Sequence, residues 1–363
     1  MPANKPPFDG EWVKLNQLCT KGKSALRQKD LIDDGPYAVY GASGIVGSMA
    51  TFQNGARYVA VVKDGAGVGR ANLCSARTSV LGTMQALIPT EMVLPEYLLH
   101  LIRAMRLGDG FSGSTIPHIY FKDYGQRLVR YVSMADQERI VGMLGSIEDQ
   151  IDILNQRNER LDTLVKSRFV EMFGGSGWPV ATVGSLATDI RYGTSKKASD
   201  CGQFVYLRMN NMTDGGGLDF GDVKHIDLSG AELEKCQVVD GDLLFNRTNS
   251  REKVGKTAVF HAKEPMVIAG YIIRVRLGDR IKPDFLAAYM NLPTTKAMLR
   301  SIARGAVHQA NINSRELSAI EVPVPPICLQ DSFLSFVAEV DKSRFNLLKA
   351  YGSIIALFRV LFP

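Results

Sequence analysis

In DQERIVGMLGSIEDQIDILNQRNERLDTLVKSRFVEMF (Asp136–Phe173), unbroken steps of four and three link Ile140, Leu144, Ile147, Ile151, Leu154, Asn158, Leu161, Val165, Arg168 and Met172. That spacing keeps one line of side chains on one face of a helix, the seam of a coiled coil. LQDSFLSFVAEVDKSRFNLLKAYGSIIALFRVLFP (Leu329–Pro363) obeys the same rule at Phe333, Val337, Val340, Arg344, Leu347, Tyr351, Ile354, Phe358 and Leu361. No proline interrupts either run. Each seam carries a polar residue, Asn158 in one and Arg344 in the other, and a polar group there selects register and partner at a cost in stability. The two helices are expected to pair antiparallel through Leu144, Ile151, Asn158 and Val165 on the first and Val337, Arg344, Tyr351 and Phe358 on the second. The competing reading is that each helix merely covers its own domain.

Each helical stretch closes a longer passage that occurs twice. EWVKLNQLCTKGKS (Glu11–Ser24) is echoed by GWPVATVGSLATDIRYGTS (Gly177–Ser195), and LPEYLLHLI (Leu94–Ile102) by KPDFLAAYM (Lys282–Met290). FSGSTIPHIYFKDYGQRLVRYVSMADQERI (Phe111–Ile140) is echoed by ARGAVHQANINSRELSAIEVPVPPICLQDSF (Ala303–Phe333). The offset grows from 166 at Trp12/Trp178 to 193 at Gln137/Gln330, so the second copy has longer loops in the same order of elements. Within the copies, short β-rich runs lie between Gly, Asn and Asp: YVAVV (58–62), SVLGTMQALI (79–88), DLLF (242–245), TAVF (257–260) and YIIRVRL (271–277). A Pro-Glu or Pro-Asp signal predicts one amphipathic helix per copy, from Glu96 and from Asp284. The fold class read from this is α+β. Two tandem pseudo-symmetric α/β domains, 1–135 and 174–328, are separated by long helices over 136–173 and 329–363.

A chain of 363 residues is long enough for two such domains, and 45% hydrophobic with 22% charged residues excludes wholesale disorder. No apolar run approaches the ~18 residues of a membrane span, and the start MPANKPPFDGEW lacks a signal peptide's apolar core. Five scattered cysteines without a CxxC pair argue against a disulfide framework or structural zinc. The expected location is the cytoplasm. Eight acidic and five basic residues lie between 136 and 173, so the total charge of +6 divides into −3 there and +9 elsewhere. The globular parts carry the positive charge, as a polyanion-binding protein would.

The order domain, long helix, domain, long helix resembles the specificity subunit of type I restriction–modification systems. GDLLFNRTNSREKVGKTAVF (Gly241–Phe260) is similar to a stretch common in that family's target-recognition domains, and VKDGAGVGRAN (Val62–Asn72) looks like its counterpart in the first copy. VPVPPICLQ (Val322–Gln330) resembles the family's Pro-Pro…Gln entry into a helix; YVSMADQ (Tyr131–Gln137) is a weaker copy without the prolines. The chain is short for the family. The resemblance implies a non-catalytic subunit that recognises double-stranded DNA, each domain reading one half of a split target while the helices fix the gap. It further implies two methyltransferase subunits on the helices, which would methylate adenine with S-adenosylmethionine, and a motor-nuclease subunit using ATP and Mg. Because the two copies differ in sequence, the target should be asymmetric. Readers of two half-sites about one DNA turn, ~34 Å, apart need such a spacer.

Reading base edges takes Arg or Lys for guanine and Asn or Gln for adenine. FNRTNSREKVGK supplies Asn246, Arg247, Asn249, Ser250, Arg251, Lys253 and Lys256 after a strand. RMNN adds Arg208, Asn210 and Asn211, and VHQANIN adds His308, Gln309, Asn311 and Asn313. The first copy offers Lys63, Asp64, Arg70 and Asn72, then Ser112, Ser114, Thr115 and His118. Most protein–DNA contacts go to the backbone, so any one of these residues is more readily a solvated loop residue or a phosphate contact than a base reader, while the cluster as a whole favours a nucleic-acid face.

Other chemistries fail on context. Gly65-Ala-Gly67-Val-Gly69 is GxGxG rather than GxGxxG, and RANLCSARTS after it lacks a helical period, so a tight loop near DNA is expected. Phe173-Gly-Gly-Ser-Gly177 matches an amino-methyltransferase cofactor pattern but follows a helix, and Asn4-Lys5-Pro6-Pro7-Phe8 is an interrupted catalytic motif. His100, His118, His225, His261 and His308 are isolated, with no HxxxH and no metal-ligand spacing. No cofactor or metal is expected on this chain. The alternatives are a specificity subunit of a type II system cleaving on both sides of its site, a self-contained nucleotide-dependent enzyme, and a coiled-coil adaptor.

Overall fold

A computed structural model describes residues 8–111, 117–175, 177–306 and 309–361, with side chains for all of these except 306 and 345–361. The chain divides into two compact units, Met1–Leu154 with Lys349–Pro363, and Asn155–Leu348. The division falls within each long helix.

In the first unit, strands β1 (Cys19–Lys21), β2 (Tyr58–Val62), β3 (Ala71–Cys74) and β4 (Met84–Pro89) form an antiparallel sheet in the order β1-β4-β2-β3. Every residue of YVAVV in β2 is buried because both faces are covered. Val59, Val61 and Leu87 pack with Tyr97, Leu98, Leu101 and Ile102 of helix α1 (Pro95–Ala104), while Tyr58, Ala60, Val62 and Met84 build a second cluster behind. Pro95 opens α1, where its missing N–H costs nothing. The run 79–88 is not one strand: Ser79–Val80 joins a separate sheet with Tyr37–Gly41 and Gly44–Met49, and a turn precedes β4.

The second unit repeats the plan. Strands β5 (Ala187–Tyr192), β6 (Leu243–Asn246), β7 (Thr257–Val259) and β8 (Ile272–Leu277) pair antiparallel as β5-β8-β6-β7, and helix α3 (Pro283–Met290) follows. A further helix, Pro293–Ile302, was not legible in the sequence.

Helices α2 (Met134–Phe173) and α4 (Ile327–Leu361) are continuous. Each is anchored at its start by a fully buried glutamine with the same role. Gln137 accepts from Leu94 N–H at 2.9 Å and donates to the Met92 and Val132 carbonyls. Gln330 accepts from Lys282 N–H at 2.8 Å and donates to the Arg280 and Pro325 carbonyls. Leu94 and Lys282 are the N-caps of α1 and α3. The glutamine therefore locks each long helix to the helix before it, once per copy.

Leu144 lies in the first unit's core with Ile140 and Ile147, and Ile151 packs against that core. In the second unit, Val165 and Val337 pack on a core in which Phe169, Phe173, Phe285 and Phe333 meet, with centroids 5.0–6.3 Å apart. Arg344 pairs with Asp162 of α2 and with Asp341, and the Arg168 guanidinium lies 5.9 Å over the Phe336 ring. Along α2 the contacts rise from 162 to 169 as those on α4 fall from 344 to 333, so the two segments run antiparallel in this unit. Two corrections apply to the seam. Asn158 is exposed, and Phe169 and Phe173, rather than Arg168 and Met172, take the buried positions. The last turns of α2 pack on a globular core, which takes a wider apolar stripe than a two-helix seam. The side chains of Tyr351 and Phe358 lie outside the described residues.

Candidate nucleic-acid interface

The candidate loops grow from the same place in each sheet. In the second unit β6 ends at Asn246, the loop 247–256 follows, and β7 returns; Asn246 and Lys256 close it, with Gly255 N–H donating to the Asn246 carbonyl at 2.8 Å. In the first unit β2 ends at Val62 and β3 returns, with Gly69 N–H donating to the Val62 carbonyl at 2.8 Å. The closing glycines have φ of +84° at Gly69 and +81° at Gly255, a region other residues enter at a cost. A Cβ at Gly69 would also lie 2.2 Å from the Gly108 backbone nitrogen. The GxGxG run is thus a strand–loop–strand turn, with no helix after it to hold a dinucleotide.

The second polar stretch of each copy is brought to this loop. Thr248 and Asn249 pair with Asn311 and Ala310, and Ile312 N–H donates to the Arg247 carbonyl at 2.9 Å. In the first copy Asp64 bridges to His118, and Ile119 N–H donates to the Lys63 carbonyl at 3.0 Å. Lys63 and Arg247 are therefore equivalent positions, each the first residue beyond the strand. They are surrounded differently. The Arg247 guanidinium lies 4.7 Å over the Tyr192 ring and donates to Asn311 Oδ1 at 3.2 Å, which orients its planar fork. Lys63 sits beside Lys21 and His118, and burial together with the Lys21 charge holds its amine below the ordinary lysine range.

The remaining candidates separate by exposure. Arg70, Asn210, Arg251, Lys253 and Gln309 are exposed. Arg70 folds back on the Gly67 and Ala66 carbonyls, and Arg251 donates to the Ala303 carbonyl at 3.1 Å. Asn72, Asn249 and Ser250 are half-buried on or beside the loops. Arg208 is tied to Asp222 at 3.0 Å, and Lys256 to Asp214 at 2.6 Å and the Met212 carbonyl. Ser112, Ser114, Thr115 and His308 lie outside the described residues.

Three asparagines are corrected. Asn246 is fully buried and donates to the Thr248 and Tyr271 carbonyls, because β6 runs one residue further than its apolar core. Asn211 is buried, bonded to the Asp219 and Asp222 carbonyls and to Arg208 N–H. Asn313 caps the helix Ser314–Ser318 by accepting from Glu316 N–H at 2.9 Å. Their amides are used by the fold. Sequence reasoning missed Lys21, Lys122 and Lys296. The Lys296 ammonium donates to the Gly255 carbonyl beneath the second loop, and burial, then Lys256 and Arg300, bring its amine down to about 8. It sits four residues into an unpredicted helix.

Among the described residues no group of His, Cys, Asp and Glu could hold a metal ion, and no helix is long and apolar enough to cross a membrane. His118 bonds Asp64, and His261 lies between Asp240 and Asp284 at 2.9 Å from each.

Two duplicated α+β units with two long helices have the fold of type I restriction–modification S subunits. The solved S subunit from M. genitalium matches over 100% of this chain and 97% of its own, with a TM-score of 0.55 at 14% identity. A structure reported for complex assembly and conformational transition of the type I R-M system matches equally well, with a TM-score of 0.55. In sequence, the chain is 26% identical over 168 residues to the putative type I restriction enzyme MjaX specificity subunit of Methanocaldococcus jannaschii, covering 45% of this chain and 39% of that protein. It is 21% identical over 264 residues to the type I restriction enzyme EcoKI specificity subunit of Escherichia coli K12, covering 66% and 57%. The matches thus span between two-fifths and three-fifths of these curated relatives. No family model matches the chain.

Proposed function

We propose that this chain is the DNA-recognition subunit of a type I restriction–modification complex, without catalytic residues of its own. The observation that carries this reading is the reader position built twice. Lys63 and Arg247 occupy the same backbone site, each held through its carbonyl by an isoleucine N–H, with different side chains around them. One loop design with two sets of side chains reads two different half-sites, which makes the target bipartite and asymmetric. The domains 1–135 and 174–328 are the readers, and the helices 136–173 and 329–363 are the paired spacer. Two methyltransferase subunits dock on that spacer and supply S-adenosylmethionine chemistry; a motor-nuclease subunit supplies ATP- and Mg-dependent cleavage.

The test is coexpression with the neighbouring methyltransferase and mapping of methylated adenines across a host genome. A two-part motif with unequal halves and a fixed unread gap is the expected result. A single contiguous motif, or no methylation, would overturn the reading.

A further inference from the structure

The first unit contains a cationic cleft of about 210 Å³ lined by Lys21, Lys63, Gln85, His118, Tyr120 and Lys122, with Ile119 and Phe121 as its apolar wall. We propose that this cleft is a phosphodiester seat that grips one backbone phosphate of the DNA beside the first half-site; the proposal rests on the function proposed above. Four observations point to it. None of the lining residues is acidic, and none of the three lysines has a carboxylate within ion-pair distance among the described residues. The ammonium groups are placed rather than free: Lys122 lies 5.3 Å over the Tyr120 ring and Lys21 lies 5.9 Å over the Phe121 ring. His118, whose ring lies tilted against that of Tyr120 with centroids 3.9 Å apart, is held by Asp64, so the adjacent carboxylate is already engaged. Burial first, and then the Lys21 charge, hold the Lys63 amine below the ordinary lysine range, so these two lysines are close enough for their charges to act on each other.

The chemistry favours a phosphate over a base or a cofactor. Clustered lysines, compact point charges without arginine's planar fork, suit the spread charge of a phosphate; Lys63 is the one of the three that also lies at the reader position. The volume lies below the ~300–1,000 Å³ of sites that enclose a small molecule. The cleft is not repeated residue for residue in the second copy. Strand register puts Ile190 where the first unit has Lys21, and Arg247 with Tyr192 where it has Lys63.

The experiment titrates the full chain with duplexes that contain or lack the mapped motif, over a series of salt concentrations. Lys21→Gln and Lys122→Gln are each expected to weaken binding to all duplexes by the same factor. Because both changes act on the same phosphate, each should flatten the slope of log affinity against log salt by up to about 0.9, the value for one phosphate contact, and the double variant by no more than that. Lys29→Gln, on an exposed turn of the same unit outside the cleft, should leave the slope unchanged. Wild-type binding with no change in either cleft variant overturns the cleft while leaving DNA recognition intact. So does equal flattening by Lys29→Gln, which would mean that net charge alone is felt. A change of base preference in Lys122→Gln overturns the phosphate assignment. A wild-type chain with no salt-dependent DNA affinity overturns both this proposal and the function it rests on.

Discussion

Asn246 and Arg247 are neighbours with opposite fates. The Asn246 amide is spent on the Thr248 and Tyr271 carbonyls, and its Oδ1 accepts from Asn249 at 3.0 Å. Asn246→Ala should therefore cost about 1–3 kcal/mol of stability, the penalty for leaving buried partners unmade, with no change in half-site preference. Arg247→Ala should do the reverse. Binding weakens by about 1–3 kcal/mol on the preferred half-site and less on altered ones, while stability moves little. Denaturant melts with binding to single-base variant duplexes separate the two, and equal weakening of Arg247→Ala on every duplex would make it a phosphate contact. Residue type made the loop legible as a polar, DNA-facing segment. Which members are consumed internally depends on a strand end one residue beyond the apolar run, and on carbonyls distant in sequence at Tyr271 and Asp222. Neither is written in local composition.

At the scale of the element, the heptad spacing of α2 was legible, while the surface it covers was not. Ile140, Leu144 and Ile147 fill the first core as the spacing requires, but by the last turns the buried line has moved to Phe169 and Phe173. A strict 3.5-residue repeat holds where helices pair, and a globular core relaxes it toward 3.6. Phe169→Ala should thus cost about 3–5 kcal/mol, as for other buried aromatics, whereas Asn158→Ala should stay within about 0.5 kcal/mol. A large loss from Asn158→Ala in denaturant melts would return that residue to a buried seam. A second element-level tie joins the turn at Asp240 to the first turn of α3 through His261. Burial alone would lower this histidine, but hydrogen bonds to Asp284 and Asp240 outweigh it and leave it raised. A group raised on folding adds stability that is complete below its unfolded value, ~6.5, and is lost as pH climbs through the folded value. The melting-temperature gap between wild type and His261→Gln should therefore be widest near pH 6 and close as pH rises above neutrality; a gap that widens instead would reverse the assignment.

For the whole molecule, duplication is the property from which most else follows. It was legible because paired landmarks kept their order: Trp12 with Trp178, Pro95 with Pro283, Gln137 with Gln330. The structure gives the last pair a shared task, with each glutamine binding one long helix to the helix before it. The sequence paired the two stretches that carry Lys63 and Arg247; their residue-for-residue equivalence comes from the strand ends, the loop-closing bonds and the isoleucine N–H bonds to their carbonyls. That equivalence makes a demand on the complete complex. If each unit reads its own half of the target, substitutions at the two positions share no contact partner, and sites without shared partners act additively. Lys63→Ala should relax or weaken only one half of the methylation motif and Arg247→Ala only the other. The double variant should show the sum of the two free-energy losses to within about 0.5 kcal/mol. Genome-wide methylation maps of the three variants read this directly. Loss of preference in both halves from either single change would mean that the two loops converge on one stretch of DNA, and the split target would have to be given up.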